Sequence, residues 1–260
     1  MPTAEEVSAI WDRNAEFWDE KMGDGNLFVT RLLRPATADL LRPRAGQRVL
    51  DLACGNGVFA RWLADEGAQV VACDVSERFI MRARARETSG RIDYRVVDAT
   101  RPEQLRALGD HDYDGILCSM ALMDIPDIGP LLAAVPTLLA TGGAFVFSIQ
   151  HPCFNSNAMS MLIEQEDRSG ELVTRYSLRL SDYLRVPAGR GLGIPGQPEP
   201  HFYFHRTLTE LLGQCFQQGL VLDGLVEPAL DGLQDPARGT SWVNYPQLPP
   251  VLVARLRVRG

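Results

Sequence analysis

Two glycines between an acid and an amphipathic segment indicate a ligand-binding loop in the first quarter of the chain. In "VLDLACGNGVFA", Asp51 lies in an apolar run, Gly55 and Gly57 follow it, and a helix-like stretch begins near residue 58. Glycine adopts positive φ angles and lets a ligand touch the main chain, while the first turn of a helix presents unpaired N–H groups. The segment also satisfies the pattern G-x-G-x-x-G/A, so a nicotinamide or flavin dinucleotide is one candidate ligand.

Acids at the ends of three successive apolar runs favour a different ligand. Asp51 lies just before the glycines, where it would repel a pyrophosphate but would hold a cationic amino group. Asp74 ends the second run and is placed to accept both hydroxyls of a ribose. Asp98 follows the third run, between Val97 and Ala99, and could accept from the exocyclic amine of adenine. Any one of them could be a helix cap or a loop residue. As a set, however, they match the ammonium, ribose and adenine of S-adenosylmethionine.

The elements that must position these acids alternate along the chain. Apolar runs cover 48–54, 69–75, 92–99, 113–120 and 143–150, and amphipathic segments lie between them at about 58–66, 77–87, 102–109 and 127–140. This alternation predicts βαβ units and a parallel sheet, whose ligands bind beyond the carboxyl ends of the strands. A helix at about 206–218, a strand at 220–226 and a strand in "PPVLVARLRVR" would complete the sheet.

The motifs resemble those of the class I S-adenosylmethionine-dependent methyltransferases, in particular the small-molecule group that includes the ubiquinone and menaquinone enzymes. "VLDLACGNG" resembles the first motif of that family, "VVACDVS" the second, "RVVDAT" the third and "YDGILCSMALMDIPD" the fourth, over residues 45–150. The resemblance implies an α/β, Rossmann-like three-layer sandwich, with seven strands that are mostly parallel and an antiparallel last strand. It also implies S-adenosylmethionine as cofactor, held by Asp51, Ala53, Cys54, Gly55, Asn56, Gly57, Asp74, Val75, Asp98, Ala99 and Ser119.

Two residues depart from the family pattern. Ala53 stands where many members have the first glycine, which would tighten the loop. Asp124, in "MALMDIPD", stands where relatives often have histidine, which puts a histidine role at that loop in doubt. The Asn-Pro-Pro-aromatic stretch of related nucleobase and glutamine methyltransferases is also missing after the fourth strand.

Three residues are candidates for the chemistry itself. In "SIQHPCF", His151 would lie at the carboxyl end of the fifth strand, facing the methyl donor, and could act as a general base. In "HFYFHRT", His205 or Tyr203 could orient the acceptor, while a role for His201 is the least expected. Each histidine has a structural alternative, and Thr207 or Thr209 could simply cap the following helix. We expect no metal, because only a local H-x-C pattern is present.

The pattern of segments and the family resemblance together predict that the chain has three parts. Residues 1–44 form a helical lid segment, 45–151 with 205–260 form the cofactor-binding domain, and 152–204 are an insertion that covers the substrate. Trp11 is expected to pack on the sheet, whereas Trp18 either packs or closes over the cofactor.

Composition limits the partners. A net charge of −7 and a pI of about 5.2 argue against nucleic acid, and the absence of a long apolar stretch argues against a membrane. A polar amino terminus and five cysteines, read as free thiols, predict a cytoplasmic protein. The predicted activity is O- or N-methylation of a small, apolar or aromatic metabolite, by a monomer or a homodimer. The alternatives are a cofactor-binding cyclase or regulatory module, and a nicotinamide-dependent oxidoreductase.

Overall fold

A computed structural model describes residues 2–235 and 237–259. Its strands are β1 (Arg48–Leu52), β2 (Gln69–Asp74), β3 (Ile92–Val96), β4 (Tyr113–Ser119), β5 (Leu139–Gln150), β6 (Met159–Arg168), β7 (Glu171–Leu180), β8 (Gly189–Gly191), β9 (His201–Tyr203), β10 (Leu220–Val226) and β11 (Val251–Val258). Seven of them form one sheet in the order β10-β11-β5-β4-β1-β2-β3. Strand β11 is antiparallel to both of its neighbours, and the other pairs are parallel. The predicted sheet is confirmed.

Helices cover both faces of this sheet. They are α1 (Ala4–Met22), α2 (Arg34–Leu41), α3 (Val58–Asp65), α4 (Glu77–Arg86), α5 (Pro102–Arg106), α6 (Gly129–Leu138) and α7 (Leu208–Gln217), and a π-helical turn (Val29–Leu33) precedes α2. One apolar cluster joins the sheet to α5, α6 and α7, and a second joins the opposite face to α2, α3 and α4. Successive residues of β1 divide between the faces, with Val49 in one cluster and Leu50 in the other. The three-layer sandwich is confirmed.

Helix starts follow local sequence signals. Thr3 with Glu6, and Thr207 with Glu210, form reciprocal capping boxes that satisfy free N–H groups in the first turns of α1 and α7. Ser76 caps α4 by accepting from the Phe79 N–H. Because Ser76 comes two residues after the end of β2, this cap sets where the chain leaves the sheet at the ligand-binding edge.

The insertion carries regular structure that the sequence analysis did not predict. Strands β6 and β7 pair as an antiparallel hairpin of ten residues a side, and β8 pairs with β9 in a second, short hairpin. Ser169 and Gly170 turn the first hairpin with φ angles of 56° and 87°. Both hairpins lie near the carboxyl edge of the main sheet, so side chains from the insertion reach the same cavity as the strand-end acids.

Helix α1 is fixed to the rest of the molecule by buried polar contacts. Asp19 is 5% exposed and bonds to Asn56 in the glycine loop and to Arg82 and Arg86 of α4. Asn14 exchanges two hydrogen bonds with the main chain of Glu199 in the insertion. The helix therefore touches both the glycine loop and the insertion. No helix of the described ranges has the length and apolar character that crossing a bilayer requires.

Candidate active site

A cavity of about 790 Å³ lies at the carboxyl edge of the sheet. Most of the residues predicted for the cofactor line it, namely Trp18, Asp51, Ala53, Cys54, Gly55, Asn56, Asp74, Val75, Asp98, Ala99 and Ser119, together with Tyr203. Gly57, His151 and His205 do not line it. The structure thus brings three strand-end acids into one space, and it places two of the three predicted catalytic residues elsewhere.

Asp51 is the most unusual of the acids. It is 1% exposed at the end of β1, and its Oδ2 atom has no hydrogen-bond partner among the described residues. Burial, with repulsion from Asp74, raises the pKa of Asp51 to about 8. A buried carboxyl in this state gains most from a cation that brings its own hydrogen-bond donors.

Asp74 holds the glycine loop in place. Its two carboxyl oxygens accept from the N–H groups of Gly55 and Ser76, both at 2.9 Å. Burial raises the pKa of Asp74 to about 6, although these N–H groups oppose the shift. Since each carboxylate oxygen has a second lone pair, Asp74 can still accept from a diol in the cavity.

The loop itself has an unusual backbone. Ala53, Gly55 and Gly57 have φ angles of 57°, 55° and 75°, in the left-handed region that favours glycine. Ala53 therefore holds a backbone conformation that is strained for a residue with a Cβ atom. A Cβ atom on Gly57 would lie 2.5 Å from the hydroxyl of Tyr94, so this glycine is needed for packing beneath the loop.

Asp98 is partly engaged. Its Oδ1 accepts from both the N–H and the hydroxyl of Thr100, at 2.8 and 2.7 Å. Arg101 lies 3.6 Å from Oδ2. The side chain remains 19% exposed on the cavity, beside Val97 and Ala99. This position suits an acceptor for one exocyclic amine.

The orientation predicted for His151 is wrong. The residue is 1% exposed, its Nδ1 accepts from the Cys153 N–H at 3.1 Å, and its Nε2 lies 2.7 Å from Glu227. With Nδ1 as acceptor, Nε2 must carry the proton that is donated to Glu227. Both nitrogens are therefore occupied outside the cavity, because the chain turns directly after β5 and packs the ring against Phe154.

His205 is also turned away from the cavity. Its Nε2 lies 2.7 Å from the carbonyl oxygen of Tyr183, in the insertion. Thr207 caps α7, as one of the structural alternatives predicted. Tyr203 does reach the cavity, where it is 8% exposed and its ring centre lies 4.4 Å from that of His201. Burial raises the pKa of the Tyr203 hydroxyl.

Asp124 and His201 reach the cavity, although neither was among the predicted site residues. Both line the cavity, and His201 Nε2 lies 3.8 Å from Asp124 Oδ1. That oxygen is buried without a hydrogen-bond partner among the described residues. Asp124 also follows a strand, although it lies five residues beyond the end of β4. His201 carried no such signal, because only the pairing of β8 with β9 brings it here.

Comparisons with known proteins identify a methyltransferase domain in the chain. Residues 50–147 match the family model described as a methyltransferase domain. The ubiquinone biosynthesis O-methyltransferase of Thiobacillus denitrificans is 34% identical over 155 residues, which are 59% of this chain and 61% of that protein. The chain thus spans about three fifths of that relative's length. The enzyme of the same name from Xanthomonas oryzae pv. oryzae is 34% identical over 137 residues, 51% of this chain and 55% of the relative.

Solved structures extend the likeness to nearly the whole chain. An S-adenosylmethionine-dependent methyltransferase from Mesorhizobium loti superposes with a TM-score of 0.66 and 27% identity, over 86% of this chain and 96% of that one. The cyclase SpnF shares the fold with a TM-score of 0.62 and 14% identity, over 99% and 97% of the two chains. The motifs, the strand order with its antiparallel β11 and these matches show that residues 50–147 are similar to a methyltransferase domain and that the chain shares the fold of S-adenosylmethionine-dependent methyltransferases.

Proposed function

We propose that this protein transfers the methyl group of S-adenosylmethionine to an oxygen or nitrogen of a small, apolar or ring-bearing metabolite. The observation that supports this most is the unpartnered Oδ2 of Asp51, buried beside the loop-fixing carboxyl of Asp74 in one cavity. A diphosphate would be repelled by these two acids, whereas an ammonium group would satisfy the first and a ribose the second. The residues present therefore fit the family's cofactor.

Most of the work of the chain is to position its ligands. The bound cofactor supplies a methyl group that its sulfonium already activates. In this assignment Asp51 and the loop around Gly55 hold the amino acid end, Asp74 the ribose and Asp98 the adenine. Alignment of acceptor and methyl group with exclusion of water is worth up to about 7–11 kcal/mol. Little covalent chemistry is asked of the side chains.

The acceptor side of the cavity is mainly apolar. Met120, Met123, Met159, Met161 and Trp242 line it, so the insertion and the loop after β4 both contribute. Flexible methionine side chains adapt to ring-bearing ligands. The curated relatives are named as O-methyltransferases, which favours an oxygen acceptor. We infer that residues 1–44 act as the lid of the cofactor-binding domain and that 152–204 cover the acceptor.

A hydroxyl or protonated amine must lose a proton during transfer. A histidine base was expected at His151, but the partners of that ring leave it no free acceptor nitrogen. The cavity itself contains His201, and burial lowers the pKa of that ring to about 4. Any histidine in contact with the acceptor is therefore neutral at physiological pH.

Two other functions remain as alternatives. The likeness to the cyclase SpnF allows a use of the fold without methyl transfer. A nicotinamide-dependent oxidoreductase is opposed by Asp51 and by the antiparallel β11. These alternatives predict, respectively, turnover without consumption of the cofactor, and binding of NADH.

The test incubates the protein with methyl-labelled S-adenosylmethionine and a panel of phenols, hydroxyquinones and heteroaromatic amines. We expect transfer of label with equal production of S-adenosylhomocysteine, and no binding of NADH by calorimetry. Conversion of a panel compound without S-adenosylhomocysteine would favour the cyclase alternative. Tight binding of NADH would overturn the proposal. Light scattering on the same sample gives the oligomeric state.

A further inference from the structure

Asp124 is a buried carboxyl whose position no contact among the described residues explains. It lies in the loop after β4, is 9% exposed, and its Oδ1 has no hydrogen-bond partner among the described residues. Leaving such an acceptor unsatisfied is unfavourable, and more so if it is charged. The loop that carries it is nevertheless held firmly, because Arg206 donates to the carbonyl oxygens of Leu122 and Ile125, both at 2.8 Å. The hydrogen bonds from Arg206 thus fix the loop that places the Asp124 carboxyl in the cavity.

Opposite this carboxyl, the protonation of His201 is fixed by Gln197. The side-chain oxygen of Gln197 accepts from the indole N–H of Trp18 at 3.0 Å and from the Gly193 N–H at 3.2 Å. Its amide nitrogen is then the atom that donates, to the Glu199 carbonyl and to His201 Nδ1, the latter at 2.9 Å. Since Nδ1 accepts, the proton of the neutral ring is on Nε2.

The nitrogen that carries this proton lies close to Asp124. His201 Nε2 lies 3.8 Å from Asp124 Oδ1, slightly beyond hydrogen-bond distance, and both residues line the cavity. The rings of Trp11 and Tyr203 flank His201, with centres 4.5 and 4.4 Å away. A purely structural histidine in this aromatic setting would need no acid in front of it. The gap admits a small adjustment when a ligand closes the site.

We propose that Asp124 is the group that receives the proton of the methyl acceptor, and that His201 positions and stabilises its carboxylate. This inference rests on the proposed function and names the acceptor atom as a hydroxyl or an N–H group. In the step, the acceptor–carbon bond forms while the carbon–sulfur bond breaks and its electron pair stays on sulfur. The acceptor proton passes to Asp124. His201 acts as a positioning residue.

Several titratable or charged groups surround Asp124, and they decide its pH behaviour. They are Asp74 at the end of β2, Cys118 on β4, His201 and Tyr203 on β9, and Arg206 behind the loop. Burial and the charge of Asp74 raise the pKa of Asp124 well above its ordinary value. Activity should therefore rise with pH through a pKa above that of a free aspartate, because the carboxyl must be ionised to accept a proton.

Methyl transfer to a panel phenol gives the first test. Asp124→Asn should lower kcat about 100- to 10,000-fold and remove the rising limb of the pH profile, while the affinity for S-adenosylhomocysteine is unchanged. The matched control is Asp127→Asn, on the same loop, where the exposed carboxyl only accepts from the Gly129 N–H. An Asp124→Asn protein that turns over at the wild-type rate would overturn the proposal and leave the proposed function standing.

A second test needs no acceptor. Carboxyl carbon NMR of aspartate-labelled protein saturated with S-adenosylhomocysteine follows the ionisation of Asp124, with Asp124→Asn to assign the signal. We expect a midpoint above the ordinary range, raised further in His201→Leu and restored toward wild type in His201→Gln, which keeps an N–H donor. If Asp124 ionises at the pH of an ordinary aspartate, or if His201→Leu does not change that pH, the proposed pairing of Asp124 with His201 is refuted. If no panel compound accepts a methyl group, the proposed function fails and the proton-accepting role of Asp124 fails with it, whereas this titration separately tests whether His201 stabilises the Asp124 carboxylate.

If Asp124→Asn does not fold, the comparison of wild type with His201→Leu decides by the same shift. The kinetic pH profile of the His201 variants adds a readout that a structural role would not move. We expect the rising limb to shift to higher pH in His201→Leu and to return in His201→Gln. If activity rises over the same pH range in wild type, His201→Leu and His201→Gln, the positioning role of His201 is refuted.

Discussion

Binding of S-adenosylhomocysteine should depend steeply on pH because of Asp51. Its pKa of about 8 means that only about a tenth of the empty protein carries the Asp51 charge at pH 7. A ligand ammonium requires the ionised form, so the apparent Kd equals the intrinsic Kd divided by the ionised fraction. Between pH 6 and pH 8 that fraction rises about 50-fold, so the affinity should rise about 50-fold. Asp74 has a pKa of about 6, so its ionised fraction rises only about twofold between pH 6 and pH 8 and increases the affinity by no more than that factor.

The raised pKa of Asp51 also affects folding stability, which should fall as pH rises, whereas ligand affinity should increase. A folded pKa raised above the unfolded value of 3.8 contributes stability at low pH, and this is lost as pH rises toward 8. At 1.36 kcal/mol per pH unit, the penalty at pH 7 is about 4 kcal/mol. Asp51→Asn should therefore stabilise the empty protein by up to about 4 kcal/mol while it weakens ligand binding.

Isothermal titration calorimetry at pH 6, 7 and 8 measures the first effect, and chemical denaturation at the same pH values measures the second. Methylthioadenosine, which lacks the ammonium group, is the matched ligand, and its affinity should change little across this range. A wild-type Kd that is flat from pH 6 to pH 8 would refute the role of Asp51. An Asp51→Asn protein that keeps the pH dependence would refute it equally.

Three further changes test the remaining contacts. Gly57→Ala should destabilise the protein by about 2–3 kcal/mol, seen in its thermal midpoint, because the new Cβ meets Tyr94 at 2.5 Å and φ is positive. His151→Ala should lower stability by about 1–3 kcal/mol with nearly unchanged kcat, and a large loss of kcat in a folded variant would show that the ring reaches the chemistry after all. Asp19→Asn should lower stability by about 2–4 kcal/mol at pH 7, and the gap should close as pH falls below 4, since its contacts, including that with Arg86, lower the pKa of Asp19. A difference that persists in acid would contradict this assignment.

The sequence predicted the sheet, and it predicted that the strand-end acids lie together at one edge, because both follow from local patterns. Asp51, Asp74 and Asp98 each close an apolar run, and parallel strands bring such ends to one edge. Gly55 was recognisable for the same reason, since its position between strand and helix requires a positive φ. These positions needed no knowledge of distant contacts.

The acceptor side was predicted poorly because it depends on contacts between distant segments. His151 was predicted to face the cofactor because it follows a strand end, but its ring pairs with Glu227, which lies 76 residues further along the chain. His201 was the histidine least expected to have a role, yet Gln197, Trp18 and the β8–β9 pairing place it next to Asp124. The spacing of residues in the sequence does not predict that α1, the insertion and the loop after β4 come into contact.

The attachments of α1 carry a consequence for the order of events in turnover. Asp19 joins this helix to Asn56 beside the cofactor loop, and Trp18 joins it to Gln197 above the acceptor side. Any outward swing that uncovers one compartment must loosen the other. We therefore expect the methylated product and the spent cofactor to depart in a single opening, so that exchange of both ligands has one shared rate.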